Sequence, residues 1–305
     1  MRKVISGRHA TVVPVAGVSG DAFVPDSPTQ PIVCCIGQPV AGNPTQFMME
    51  RAFAAAGLDW RYLTLEVPPN QLGQAVLGVR AMGFLGANIT NPHKAAVIQH
   101  LDKVDESAEL TGLASCVRRS GEHLIGENID GKGFFQALRP KVDPTGKKAV
   151  IMGAGSTARA IAVELGRAGA GELVIVNRSA DRGQTLVDLL NQKVRVSSRL
   201  VHLSGDYAVE PDTRIVVNAT SIGSGDTEAL VPLDIQALAA DMLVADVAFN
   251  PLGTRLLRDA AGRGCKTLDG LAMLVGQVMI SFKIWTGVDP DPVVMQEALE
   301  EYLEI

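Results

Sequence analysis

Lys148-Ala149-Val150-Ile151-Met152-Gly153-Ala154-Gly155-Ser156-Thr157-Ala158 decides the fold of this 305-residue chain. An apolar β-like run, Lys148–Met152, enters a glycine turn. A helical pattern, Ser156–Ala168, leaves it, and a second β-like run follows at Glu172–Val176. The turn reads Gly-x-Gly-x-x-Ala. Gly153 permits the tight bend, Gly155 lets a pyrophosphate approach the backbone, and the small Ala158 lets helix and strand pack closely. The anion would sit on free N–H groups at the helix start. Strand, turn, helix and strand in this order point to a dinucleotide site at Gly153, Ala154, Gly155, Ser156, Thr157 and Ala158. A glycine-rich turn with no ligand is the alternative.

The end of the second strand reads which dinucleotide is held. Asn177-Arg178-Ser179 stands there, with Arg182 beyond. No carboxylate occupies the position that takes a ribose 2′-hydroxyl, and Arg178 could clamp a 2′-phosphate through two hydrogen bonds. NADP is favoured on this ground. Asp181 keeps NAD possible, and both arginines could equally be solvated helix-start residues.

Outward from this unit the same alternation repeats. Ile32–Ile36, Trp60–Val67 and Phe84–Ile89 read as strands, with helices expected at Thr45–Ala56, Asn70–Met82 and Pro92–Leu101. Thr213–Asn218 and Leu243–Val247 continue the second set of strands, and helices are expected at Ala180–Asn191, Gly270–Gly287 and Pro292–Leu303. Strands alternating with helices predict an α/β fold with mostly parallel sheets. Proline and glycine cluster in Lys141–Lys147, which places a boundary there. Residues 1–30 read as a lead-in rich in Gly, Pro and Ser. Its Arg2-Lys3 start is followed only by a short run, Thr11–Val18, broken by Pro14, so no signal peptide is assigned.

Composition excludes several classes. Lys plus Arg is 28 against 33 for Asp plus Glu, a net charge of -5, with 47% apolar and 20% charged residues. Disorder and coiled coils need more charge, and a nucleic-acid surface needs clustered cations. The longest apolar stretch, Leu271–Trp285, is too short for a membrane span and carries Gln277 and Lys283. Cys34, Cys35, Cys116 and Cys265 have no metal-site spacing and read as buried, reduced thiols of a cytoplasmic protein. No metal is expected.

Two further turns carry reactive groups. Gly86-Ala87-Asn88-Ile89-Thr90-Asn91-Pro92-His93-Lys94 joins a strand end to a helix start, where open α/β sheets hold ligands. Gly126-Glu127-Asn128-Ile129-Asp130-Gly131-Lys132-Gly133-Phe134 is the second. Moving a hydride to or from an alcohol carbon needs a group that moves the hydroxyl proton. A lysine oriented by an aspartate can do so. From the residues alone, Lys94 and Asp130 could equally be a structural ion pair, and His93 reads as a helix-start residue.

These stretches, taken with Asn218-Ala219-Thr220-Ser221-Ile222-Gly223 and Asp269-Gly270-Leu271-Ala272-Met273-Leu274-Val275-Gly276-Gln277, resemble the shikimate/quinate dehydrogenase family in order and spacing from about residue 33 to 287. The resemblance implies an N-terminal substrate-binding α/β domain at 31–140 and a Rossmann-like NAD(P)-binding domain at 141–269. Helices in 270–305 would return to the substrate domain. It implies a hydride transfer between NADP(H) and a small hydroxylated cyclic carboxylate: shikimate/3-dehydroshikimate, quinate or an amino-shikimate. Catalysis would fall to Lys94 and Asp130. Asn43, Thr45, Asn88, Thr90, Ser115, Phe249 and Gln277 would meet substrate. Asn177, Arg178, Ser179, Arg182, Asn218, Thr220, Ser221 and Met273 would join the glycine loop at the cofactor. The protein would act as a monomer or homodimer.

The departures from the family pattern concern recognition. Asn43 and Thr45 stand in place of two serines in the carboxylate motif, Phe249 in place of a tyrosine, and Ser115 in place of an asparagine. Losing one hydrogen bond to a charged ligand group costs about 1.5–3 kcal/mol, roughly 10- to 150-fold in affinity. Several such changes beside an intact Lys94 and Asp130 suggest kept chemistry and an altered substrate. A dehydrogenase relic that senses a dinucleotide or metabolite without turnover is the alternative.

Overall fold

The computed structural model describes residues 29–305. The lead-in reading, and with it the signal-peptide question, falls outside those residues apart from positions 29 and 30.

The first half alternates as β1 (Ile32–Gly37), α1 (Thr45–Ala55), β2 (Arg61–Glu66), α2 (Leu72–Ala81), β3 (Gly86–Ile89), β4 (Lys103–Val104), α3 (Glu106–Thr111), β5 (Cys116–Ser120), β6 (His123–Glu127) and α4 (Asp130–Leu138). Its sheet has the order β2-β1-β3-β5-β6-β4. Only β5 runs against the rest, pairing antiparallel with both β3 and β6. A two-residue turn joins β5 to β6, and its Gly121 has φ +58°. Such a turn reverses the chain, whereas a parallel neighbour needs a long crossover.

The second half runs β7 (Lys148–Met152), α5 (Ser156–Arg167), β8 (Glu172–Asn177), α6 (Ala180–Leu189), β9 (Ser198–His202), β10 (Thr213–Asn218), β11 (Leu243–Asp246), α7 (Arg255–Gly262) and β12 (Lys266–Leu268). All its strands are parallel, in the order β12-β11-β10-β7-β8-β9. The chain moves from β7 toward one edge, then returns to β10 on the other side. This is the doubly wound order of dinucleotide-binding sheets, with its ligand crevice at the C-terminal end of β7. Val150, Ile151, Val174, Ile175, Val216 and Val217 are wholly buried. They are the continuous apolar runs that a sheet covered on both faces requires.

α8 (Gly270–Thr286) and α9 (Pro292–Leu303) close the chain against the first sheet. Phe282 of α8 stacks on Phe53 of α1 with ring centroids 5.4 Å apart, and Met295 and Leu299 of α9 join the same core. Between the two sheets lies α4. A Cβ on Gly131 would meet the Ala160 carbonyl oxygen of α5 at 2.2 Å, and one on Gly133 would meet Gln277 Cγ of α8 at 2.7 Å. Helices this close need glycine at the crossing.

One expected helix is corrected. Pro92–Leu101 does not form an α-helix. A turn follows Thr90, and only Ala96–His100 winds into a 3₁₀ segment. His93 is buried and its Nε2 lies 2.7 Å from the Val67 carbonyl oxygen, which pins the turn to the sheet. Elements without a sequence expectation, such as β4, α3, β9, α7 and β12, are short, from two to eight residues. Periodicity is weakest over such lengths.

Candidate active site

A cleft of about 360 Å³ opens between the two sheets, lined from both. The end of β3 contributes Asn88 and Thr90, and the turn after it Lys94. α4 contributes Asp130, α5 Thr157, and α8 Met273 and Gln277.

At its centre Lys94 Nζ donates to Asp130 Oδ2 at 2.5 Å, and the two side chains are 15% and 4% exposed. Asp130 sits at the start of α4, where a carboxylate is favoured by the helix dipole. Asn128 Oδ1 accepts its backbone N–H at 3.0 Å, and Asn128 is itself held by the Thr111 hydroxyl and the Leu113 carbonyl. The second carboxylate oxygen receives Gln277 Nε2 at 3.4 Å. A buried carboxylate with both oxygens engaged fixes the lysine in one place while the ammonium keeps two hydrogens for a ligand. This is the arrangement a proton donor to a carbonyl oxygen needs.

Asn88 is oriented from behind. The Tyr62 hydroxyl donates to Asn88 Oδ1 at 2.8 Å, which leaves the amide hydrogens for a ligand oxygen. Burial pushes the Tyr62 hydroxyl well above its usual range, so it remains a donor. No sequence signal singled out Tyr62: it is one apolar-looking position of β2, and its partner lies 26 residues away. Cys35 also lines the cleft, and burial raises its thiol to about 11.

The remaining substrate-side positions, Asn43, Thr45, Ser115 and Phe249, all reach the cleft wall. Asn43 Oδ1 accepts the Thr45 N–H at 2.9 Å, and Ser115 Oγ accepts the Ile129 N–H at 2.9 Å.

The dinucleotide crevice has the shape its loop predicts. Gly153 holds φ +109°, and a Cβ there would come within 3.0 Å of the Ala219 carbonyl. A Cβ on Gly155 would meet nothing within 4 Å, so that residue opens onto free space. Ala154 and Ala158 are buried, and α5 begins at Ser156 with no side-chain cap on its first N–H groups. A pyrophosphate fits this cradle. Asn177 Nδ2 donates to the Ser179 carbonyl oxygen at 2.7 Å, and Ser179 Oγ caps α6 by accepting the Arg182 N–H. Arg178 and Arg182 are exposed and free of ion pairs among the described residues.

One expected ligand group is reassigned. Asn218 is fully buried, and its side chain is spent inside the protein. Nδ2 donates to the Ile222 carbonyl and to Asp246 Oδ1, while Oδ1 accepts from the Thr220 N–H and hydroxyl. It shapes the Thr220–Ser221 loop and has no group left for a cofactor. Thr157 belongs to the glycine loop and also lines the substrate cleft. Among the described residues no cluster of three metal-ligating side chains occurs, and no helix is long and apolar enough to cross a membrane.

Known proteins share this architecture. The family described as shikimate dehydrogenase substrate binding domain matches residues 35–117. That described as shikimate / quinate 5-dehydrogenase matches 137–231, and the shikimate 5'-dehydrogenase C-terminal domain matches 270–300. The shikimate dehydrogenase (NADP(+)) of Methanopyrus kandleri is 40% identical over 277 residues, 89% of this chain and 96% of its own. Among solved structures, the 5-ketofructose reductase of Gluconobacter sp. strain CHM43 is 44% identical with a TM-score of 0.88, over 90% of this chain and 99% of that one. Shikimate 5-dehydrogenase from Listeria monocytogenes, in complex with shikimate and NAD, is 32% identical with a TM-score of 0.86, over 91% and 99%. By descent and by site geometry, the chain belongs to the shikimate/quinate dehydrogenase family of oxidoreductases.

Proposed function

We propose that this protein interconverts a ketone and its secondary alcohol on a small polyhydroxylated molecule, as its relatives do with shikimate/3-dehydroshikimate, with NADP(H) as the partner. The buried Lys94–Asp130 pair, facing a cleft that also opens on the glycine loop, carries this reading. In the reductive direction the carbonyl carbon gains a hydride and the carbonyl oxygen gains a proton, so the C=O π bond becomes C–H and O–H. NADPH, when bound, supplies the hydride and is oxidised to NADP+. Lys94 supplies the proton and regains one from water. Asp130 holds the lysine, and Asn88 and Gln277 fix the neighbouring hydroxyls. Gly153–Ala158 would hold the pyrophosphate, and Arg178 with Arg182 the 2′-phosphate.

The division into a substrate domain at 31–140, a dinucleotide domain at 141–269 and returning helices at 270–305 is supported by the two separate sheets and by the packing of α8 and α9 on α1. Four free, buried cysteines suit a cytoplasmic enzyme. Nothing in the site or among the relatives favours a sensor, which would have no use for a buried proton donor.

The test follows nicotinamide absorbance with a panel of cyclic hydroxy acids and polyhydroxy ketones, with NADP(H) and NAD(H), for wild type and Lys94→Ala. Turnover by the wild type that falls by about 10²–10⁴ in the variant is expected for loss of a positioned acid–base group. No turnover on any compound, or equal turnover by both proteins, refutes the reading.

A further inference from the structure

Apart from the reacting pair, the cleft lining carries no charged side chain among the described residues. Lys94 and Asp130 are the lysine and the carboxylate residue of that lining, and they pair with each other at 2.5 Å. The lining also holds Val40, Ala41, Pro44 and Phe249, with Leu274 and Val278 from α8. Several of its polar groups are partly engaged within the protein. Asn43 turns its carbonyl oxygen onto the Thr45 N–H, which takes the first donor at the start of α1, and its amide nitrogen lies 3.9 Å from Cys35 Sγ. Ser115 Oγ accepts the Ile129 N–H and keeps its own hydrogen to donate. The donors that remain are the Asn43 amide hydrogens and the Thr45 and Ser115 hydroxyls, and Phe249 presents a ring without one.

A carboxylate placed here would lose its hydration and meet neutral donors only, with no cation beyond Lys94, which Asp130 already pairs. An ionised group in that position is strongly disfavoured. A neutral polyol meets the opposite situation. Asn88, Thr90, Gln277 and Thr45 can bind its hydroxyls, and the apolar wall covers its C–H face. We infer that the substrate of this site is an uncharged polyhydroxylated ketone, of the class to which 5-ketofructose belongs, and not a carboxylate-bearing ring. This inference rests on the dehydrogenase reading above and narrows its substrate. The 44% identity to the solved 5-ketofructose reductase is an independent observation in the same direction.

The experiment measures kcat/KM for NADPH oxidation by the full-length protein with three ketones: 5-ketofructose, 3-dehydroshikimate, and the methyl ester of 3-dehydroshikimate. The ester keeps the ring and removes the charge. The better of the two neutral ketones is expected to exceed the acid at least tenfold. A ratio below tenfold, or a preference for the acid, overturns the inference and leaves the dehydrogenase reading standing. No NADPH oxidation with any of the three overturns the dehydrogenase reading itself.

Discussion

Gly133→Ala tests whether the crossing of α4 and α8 sets the active-site geometry. The added Cβ would lie 2.7 Å from Gln277 Cγ, 2.8 Å from the Gln277 backbone nitrogen and 3.0 Å from the Met273 carbonyl oxygen. Carbon–carbon contact is comfortable at about 3.5–4.0 Å, so α8 must retreat by about 0.8 Å. Backbone atoms dominate the clash, and no side-chain rotation relieves it. The hydrogen bond from Gln277 to Asp130 is 3.4 Å long, already at the limit, and a retreat of that size breaks it. Overpacking of this kind costs about 1–3 kcal/mol. In a chain of this length each kcal/mol lowers Tm by about 2–4 °C. A misplacement near 1 Å reduces catalysis about 100-fold. NADPH affinity is expected to hold, because the α4 glycine that touches α5 is Gly131. Thermal unfolding, steady-state kinetics and NADPH fluorescence titration measure the three quantities. Gly262→Ala is the control: a Cβ there meets nothing within 4 Å, and the change is expected to stabilise by about 0.5 kcal/mol. Gly133→Ala with wild-type Tm and wild-type kcat/KM would refute the reasoning.

Arg178→Ala is expected to weaken NADP+ binding by about 10- to 150-fold while leaving NAD+ binding unchanged, since only the 2′-phosphate loses its charged partner. Equal loss for both nucleotides in a titration would remove Arg178 from that role. Cys35 provides a pH test. Burial raises its thiol to about 11, so at pH 8 it is neutral, and iodoacetamide should alkylate it about two orders of magnitude more slowly than a free cysteine of pKa about 8.5. Rapid inactivation at pH 8 that substrate prevents would contradict this.

The sequence reading was strongest where chemistry resides in the backbone. Gly153, Gly155 and Ala158 announce their roles because a tight bend and a close approach demand those residue types at that spacing, and the strands on either side are long apolar runs. Lys94 and Asp130 could be named as candidates, but 36 residues separate them, and nothing local says that they touch. Gln277 lies 147 residues from Asp130 and meets it only because Gly133 and Gly276 let two helices cross at contact distance. Asn218 shows the converse error. Its match to the family's loop suggested a group at the cofactor, but four hydrogen bonds inside the protein use the whole amide. Sequence position tells where a side chain begins; only its partners tell whether it is free. Tyr62 was invisible for the same reason, since a buried tyrosine in a strand reads as core until its hydroxyl is seen to reach Asn88.

The same helix contacts explain how a recognition wall can change while the chemistry stays fixed. α4 carries Asp130 at its tip, meets α5 through Gly131 and meets α8 through Gly133. The reacting pair is therefore tied to both sheets by backbone contacts that tolerate no added methyl group. Asn43, by contrast, sits on the stretch between β1 and α1, Thr45 is the first residue of α1, and Phe249 follows β11. Each of those positions presents a side chain to the cleft without bearing a helix crossing. Substitution there alters which molecule is held, at a cost confined to lost hydrogen bonds, while substitution along α4 shifts the acid, its lysine and the helix that positions Gln277 together. A family resemblance carried by the rigid joint therefore predicts the reaction, and the side chains of the opposite wall predict the substrate.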